Sequence, residues 1–149
     1  MKINAITQIS IGGEDLQKLS YTSDVDALND WALIRPSENC SNWLVCIHGH
    51  GSNGDQLYTR EDINAIWLPA FNQHDLGIIT PNLRGNGWMG PAAKADISDL
   101  MDFLRSEYGA QRFVFASGSM GGTSNLIYAS QRPDNVSGIV ALGAASDLA

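Results

Sequence analysis

Phe113-Val-Phe-Ala-Ser-Gly-Ser-Met-Gly-Gly122 joins an unbroken apolar run to small residues that open a second, helix-compatible stretch. The run Phe113-Val-Phe-Ala116 has the aromatic and β-branched make-up of a strand covered on both faces. Paired glycines follow Ser119 by two residues, and helical spacing then continues to Gln131, stopped by Pro133. The segment therefore predicts a strand, a sharp turn carrying Ser119, and a helix.

Three more apolar runs share the character of the first. Trp43-Leu-Val-Cys-Ile47, Leu76-Gly-Ile-Ile-Thr80 and Ser137-Gly-Ile-Val-Ala-Leu142 predict further strands of a parallel core. Between them, 92–108 places Ile97, Leu100, Met101 and Leu104 on one helical stripe, with Asp96, Asp99 and Asp102 off it as a solvated face. Another helix is expected over about 55–71, its end blurred by Pro69. Residues 6–11 alternate as a half-solvated strand, and Asp30-Trp-Ala-Leu-Ile-Arg35, closed by Pro36, supplies a second such strand. The expectation is an α/β fold: a mostly parallel sheet with helices on both faces and an antiparallel N-terminal edge.

The chain has 149 residues, 44% of them hydrophobic and 17% charged, which suits one globular core. Its formal charge of −7 disfavours nucleic-acid phosphates and anionic membranes as partners and suits a small, weakly charged substrate. Cys40 and Cys46 are too few, and wrongly spaced, for a disulfide framework or a zinc site. The first ten residues alternate instead of forming an apolar signal run, and no stretch reaches the roughly 20 apolar residues of a membrane span. A reducing cytoplasm is the expected compartment.

Two segments carry candidate chemistry. In the first, the tight turn lifts the Ser119 hydroxyl above the carboxyl edge of the sheet, at the positive end of a helix. Its pattern is Ser-x-Ser-x-Gly, with Ser117 where glycine is usual in a nucleophile elbow. The same glycine-rich turn would also suit phosphate binding or close packing, and the elbow is the preferred reading. In the second, Cys46-Ile-His-Gly-His-Gly-Ser-Asn-Gly54 leaves one strand and enters a helix, which is where backbone amides could receive an oxyanion. The expected donors are the amides of His50 and Met120, with Gly49 and Gly51 in the substrate-binding surface. Histidines at i and i+2 without neighbouring carboxylates make a poor metal set, so neither metal nor cofactor is expected.

Together these segments resemble the α/β-hydrolase superfamily. His-Gly-x-Gly follows one strand, Arg84-Gly-Asn-Gly-Trp-Met-Gly90 the next, and Ser-Met-Gly-Gly a third, in the family's order. The likeness is greatest to small serine esterases and to prolyl-oligopeptidase-type catalytic domains. It implies Ser119 as nucleophile, an acyl-enzyme route for a small ester or short peptide, Arg84 as a loop-ordering ion pair, and Trp88 in the substrate pocket. It also implies an Asp or Glu and then a His after the nucleophile. Asp147 is the candidate acid, with a turn or capping role as the alternative.

None of the three histidines, His48, His50 and His74, follows Ser119. The expectation is therefore a single hydrolase domain seen in its N-terminal part, 1–149, lacking the C-terminal strands of the fold. The strand over 137–142 would then be an open apolar edge, suited to self-association. A prolyl-oligopeptidase-like peptidase and a non-catalytic binding fold are the alternatives to an esterase.

Overall fold

A computed structural model describes residues 1–38 and 41–146. Seven strands form one sheet: β1 (Lys2–Ile11), β2 (Glu14–Thr22), β3 (Asn29–Arg35), β4 (Asn42–Val45), β5 (Gly77–Pro81), β6 (Arg112–Gly118) and β7 (Gly138–Leu142). Their spatial order is β1-β2-β3-β5-β4-β6-β7. β1, β2 and β3 pair antiparallel, β3 meets β5 antiparallel, and β5, β4, β6 and β7 are parallel. The four apolar runs are the four parallel strands, and the antiparallel edge lies where the alternating segments placed it.

The helices are α1 (Gln56–Thr59), α2 (Glu61–Asn72), α3 (Pro91–Tyr108) and α4 (Met120–Gln131). Both faces of the sheet are covered. Trp43, Val45, Ile79, Phe113 and Phe115 pack with Ile97, Leu100, Met101 and Leu104 of α3 and Tyr128 of α4. Leu44, Ile78 and Ala116, one residue out of phase along the same strands, pack on the other face with Leu33 of β3, Leu57 and Tyr58 of α1 and Leu68 of α2. Burial of both parities is why these strands read as continuous apolar runs.

Three details depart from the sequence reading. β2 adds a third antiparallel strand, joined to β1 through Gly12 and Gly13, whose φ values of +60° and +83° suit a tight hairpin turn. Its buried residues, Leu16 on one face and Leu19 and Tyr21 on the other, break any simple alternation. The helix expected over 55–71 is two helices, because Arg60 takes an extended backbone (φ −89°, ψ 113°) between α1 and α2. Pro69 lies inside α2, which runs on to Asn72.

Asp96 is the third departure. It is fully buried, not solvated, and accepts hydrogen bonds from Ser23 Oγ (2.6 Å) and Arg84 Nε (2.7 Å). Asp102 is exposed, as expected of the helix's outer side. A carboxylate off the apolar stripe can be buried when a guanidinium comes to meet it, and that partner is 12 residues away in another loop.

β7 is the outer strand of the parallel half, with Ile139, Val140 and Leu142 exposed. No helix among the described residues is long and apolar enough to cross a membrane.

Burial pushes the Cys46 thiol, just past the end of β4, up to about 12. Little thiolate forms at pH 8, so iodoacetamide is expected to spare the Cys46 peptide in the native protein and to modify it in urea. Mass spectrometry of the digested protein checks this, and native alkylation at the rate of a free thiol would show that this strand end opens.

Candidate active site

β6 ends at Gly118 and α4 begins at Met120, so the entire reversal falls on Ser119. Its backbone takes φ +52°, ψ −128°, a conformation that costs a residue with a side chain about 1–3 kcal/mol. Surrounding contacts hold it there. The Ser119 amide donates to Leu142 O of β7 at 2.9 Å, and the Thr123 amide donates back to Ser119 O at 3.0 Å.

Gly121 explains the small residue after the turn. A Cβ at this position would lie 2.1 Å from Ile47 O and 2.9 Å from Ser117 Cβ, so only hydrogen fits. Ser117, where a glycine is usual, has a use for its hydroxyl. β4 and β6 pair in the register Val45 with Phe115, which would bring Ile47 opposite Ser117 if the ladder continued. β4 has ended at Val45 while β6 continues to Gly118, and Ser117 Oγ accepts the Ile47 amide at 2.9 Å while donating to Asn125 Oδ1 at 3.4 Å. Ser117 and Asn125 are wholly buried.

Ile47 also begins the second loop. His48 is buried, with Nδ1 2.7 Å from Gly49 O and Nε2 2.9 Å from Asn82 O, so whichever ring nitrogen carries the proton has a backbone carbonyl to donate to. The Gly49 amide donates to Gln56 Oε1 at 2.8 Å and the Gly51 amide to Asn86 Oδ1 at 2.7 Å. His50 is exposed, and Trp88 Nε1 donates to its Nδ1 at 3.3 Å. His74 is exposed between α2 and the amino end of β5, at the opposite edge of the sheet from Ser119.

A cleft of about 240 Å³ opens at the carboxyl edge of the sheet, bordered by Ser119, Gly118, Gly49, His50, Gln56 and Trp67, with Arg60 and Asp62 also on its wall. Ser119 is exposed to it. A Cβ built on Gly49 would lie 3.9 Å from Ser119 Cβ, so the two loops meet. Of the expected substrate-binding residues, Gly49 borders this cleft, while Trp88 and Gly51 are outside its lining, Trp88 reaching only His50 on its wall. Met120 is buried at the start of α4, where a first-turn amide has no helical partner. Asp147 lies outside the described residues. Gln56 and Trp67 were not singled out from the sequence, because nothing in a helix-compatible stretch tells which side chain bends back to the preceding loop.

The Arg-Gly loop is held from beneath. Arg84 pairs with Asp96 and with Asp26 (Nη1 to Oδ2, 2.7 Å), and its Nη2 donates to Ser23 Oγ at 2.8 Å. The hydrogen bond with Asp26 chiefly holds the guanidinium's affinity for its proton above the ordinary value and Asp26 below the usual carboxylate range. Asp30 accepts from Asn82 Nδ2 (2.8 Å) and from the Arg84 amide (2.6 Å). Arg84 is thus the loop-ordering ion pair expected of it.

A family model for the alpha/beta hydrolase fold matches residues 42–149, and the chain belongs to that family. Solved structures agree in fold. An S-formylglutathione hydrolase from Staphylococcus aureus superposes with a TM-score of 0.70 at 17% identity, over 97% of this chain and 61% of that one. For a thermostable carboxyl esterase from Bacillus coagulans the values are 0.61, 19%, 85% and 43%. For the enterobactin esterase from Shigella flexneri they are 0.66, 11%, 87% and 36%. The chain thus spans less than two thirds of the length of each. No curated protein sequence matches it significantly.

Ser117→Ala removes the acceptor of a buried amide, so it is expected to lower stability by about 1–3 kcal/mol, measured by urea denaturation. An unchanged midpoint would mean that Ile47 finds another acceptor.

Proposed function

We propose that the protein is a serine hydrolase of esterase type that cleaves a small carboxylic ester through an acyl-enzyme. The observation that carries this reading is the left-handed backbone of Ser119, at a strand-to-helix turn that opens on a cleft. Backbone strain of this kind persists only where surrounding structure enforces it, and it concentrates at sites of function.

In the proposed reaction, Ser119 Oγ attacks the ester carbonyl while its proton passes to a histidine. The carbonyl oxygen becomes an anion received by the amides of His50 and Met120. Collapse of the tetrahedral intermediate breaks the bond to the leaving alkoxide, which takes the proton from the imidazolium. Water, deprotonated by the same histidine, then attacks the acyl carbon, and the bond to Ser119 Oγ breaks as Oγ takes that proton back and the carboxylic acid departs. None of His48, His50 and His74 follows Ser119, where the chain order of such triads places the base. Asp147 is the candidate acid that orients it. The cleft, about 240 Å³ on these residues, favours a small substrate, with Gly49 and His50 against it and Trp88 behind His50. The two-cysteine composition supports a cytoplasmic setting.

A non-catalytic binding fold is the second reading, and the position of the histidines is the observation favouring it. Ser119→Ala in the full-length protein is expected to cut p-nitrophenyl acetate turnover by at least about 10³-fold. Equal turnover by the two proteins would remove Ser119 from the chemistry. Saturable ester binding with no turnover by either would establish the binding fold.

A further inference from the structure

We infer that Gln56 and Asn86 are positioning residues that single out the His50 amide as the donor to the reacting oxygen, an inference that rests on the esterase reading of Ser119. Three consecutive amides, those of Gly49, His50 and Gly51, stand at the end of β4. The outer two are taken by side-chain carboxamides from opposite sides: Gln56 Oε1 accepts from Gly49 at 2.8 Å, and Asn86 Oδ1 accepts from Gly51 at 2.7 Å. Among the described residues the His50 amide meets no protein acceptor.

The orientation of that amide follows from the carbonyl before it. Gly49 O accepts from the Ser52 amide at 3.2 Å and lies 2.7 Å from His48 Nδ1. The peptide joining Gly49 to His50 is trans, so its N–H points away from its C=O. Fixing the carbonyl on the side of His48 and Ser52 turns the His50 N–H the other way. Gly49 and His50 both border the cleft, and the Cβ position of Gly49 is 3.9 Å from Ser119 Cβ, so this peptide sits beside the nucleophile.

The two carboxamides come from separate parts of the chain. Gln56 is the first residue of α1, its own amide held by Asn53 O at 3.0 Å, while Asn86 is exposed on the Arg-Gly loop. Each supplies an acceptor that the loop itself lacks. Without them the outer amides would compete with His50 for the oxyanion or turn to solvent, and the peptide could rock between orientations. Preorganised donors act because they need no reorganisation as charge develops, so such rocking weakens the transition state more than the ground state.

The test uses the full-length protein with Gln56→Met, which keeps side-chain length without the acceptor, and Asn86→Ala at a site too exposed to threaten folding. Each is expected to lower kcat for p-nitrophenyl acetate by about 10-fold or more, with KM within about threefold. Affinity for a trifluoromethyl ketone, whose adduct carries the oxyanion, should fall by a similar factor, which a general loosening of the fold would not single out. If both variants keep kcat within about twofold of the unsubstituted protein, or if the loss lies in KM alone, the inference is overturned. If the unsubstituted protein itself fails to turn over the ester, the esterase reading fails first and takes the inference with it.

Discussion

Between Gly121 and the carbonyl of Ile47 there is room for a hydrogen atom and nothing larger. That contact joins the ends of two neighbouring parallel strands, because Ile47 follows β4 and Gly121 lies in the first turn after β6. With Ile47 O against the helix start and Ile47 N held by Ser117 Oγ, both backbone polar groups of one residue fix where the chain turns after β6. The reversal then has a single residue in which to occur, and Ser119 takes the left-handed backbone that this requires. One residue beyond Ile47 the His48–Gly51 loop begins, so the proposed nucleophile and the loop facing it are built on the same junction. Their relative placement depends on strand pairing, which is among the stiffest features a fold can offer.

A polar network steadies the far side of this junction. Asp30, in β3, holds Asn82 and Arg84, and Arg84 reaches Asp96 inside α3. Leu83, Arg84, Trp88 and Met89 all have positive φ, and none is glycine. Such backbone is costly, and at Arg84 it is held by Asp30 on the amide and by the buried Asp96 carboxylate on the guanidinium. The loop then offers Asn82 O to His48 and Asn86 Oδ1 to Gly51. Order therefore passes from the antiparallel edge of the sheet, through the Arg-Gly loop, to the amides beside Ser119.

The parallel strands were legible in the sequence because burial on both faces leaves an unbroken apolar run, and the strand-to-helix turn at Ser119 was legible because few other arrangements need small residues at 117, 118, 121 and 122. β2 was not, since Leu16 and Leu19 serve opposite faces and mimic no simple period. Nor was the burial of Asp96, which depends on Arg84 arriving from another loop. The break at Arg60 escaped for a related reason: its extended backbone interrupts a segment whose residues are individually compatible with one helix. Within the site, motifs identified the residues whose backbone is strained or crowded. They did not identify Gln56 and Asn86, whose part lies in which amide their side chains happen to reach.

The central claim is that Ser119 is a reactive nucleophile, and covalent labelling tests it most directly. The full-length protein would be treated with a fluorophosphonate, which reacts with serines activated by a base and an oxyanion hole, and its peptides mapped by mass spectrometry. A single adduct on the peptide spanning Ser119, absent after prior denaturation, is the result predicted here. An adduct confined to another residue, or none on protein that is actively hydrolysing ester, would contradict it.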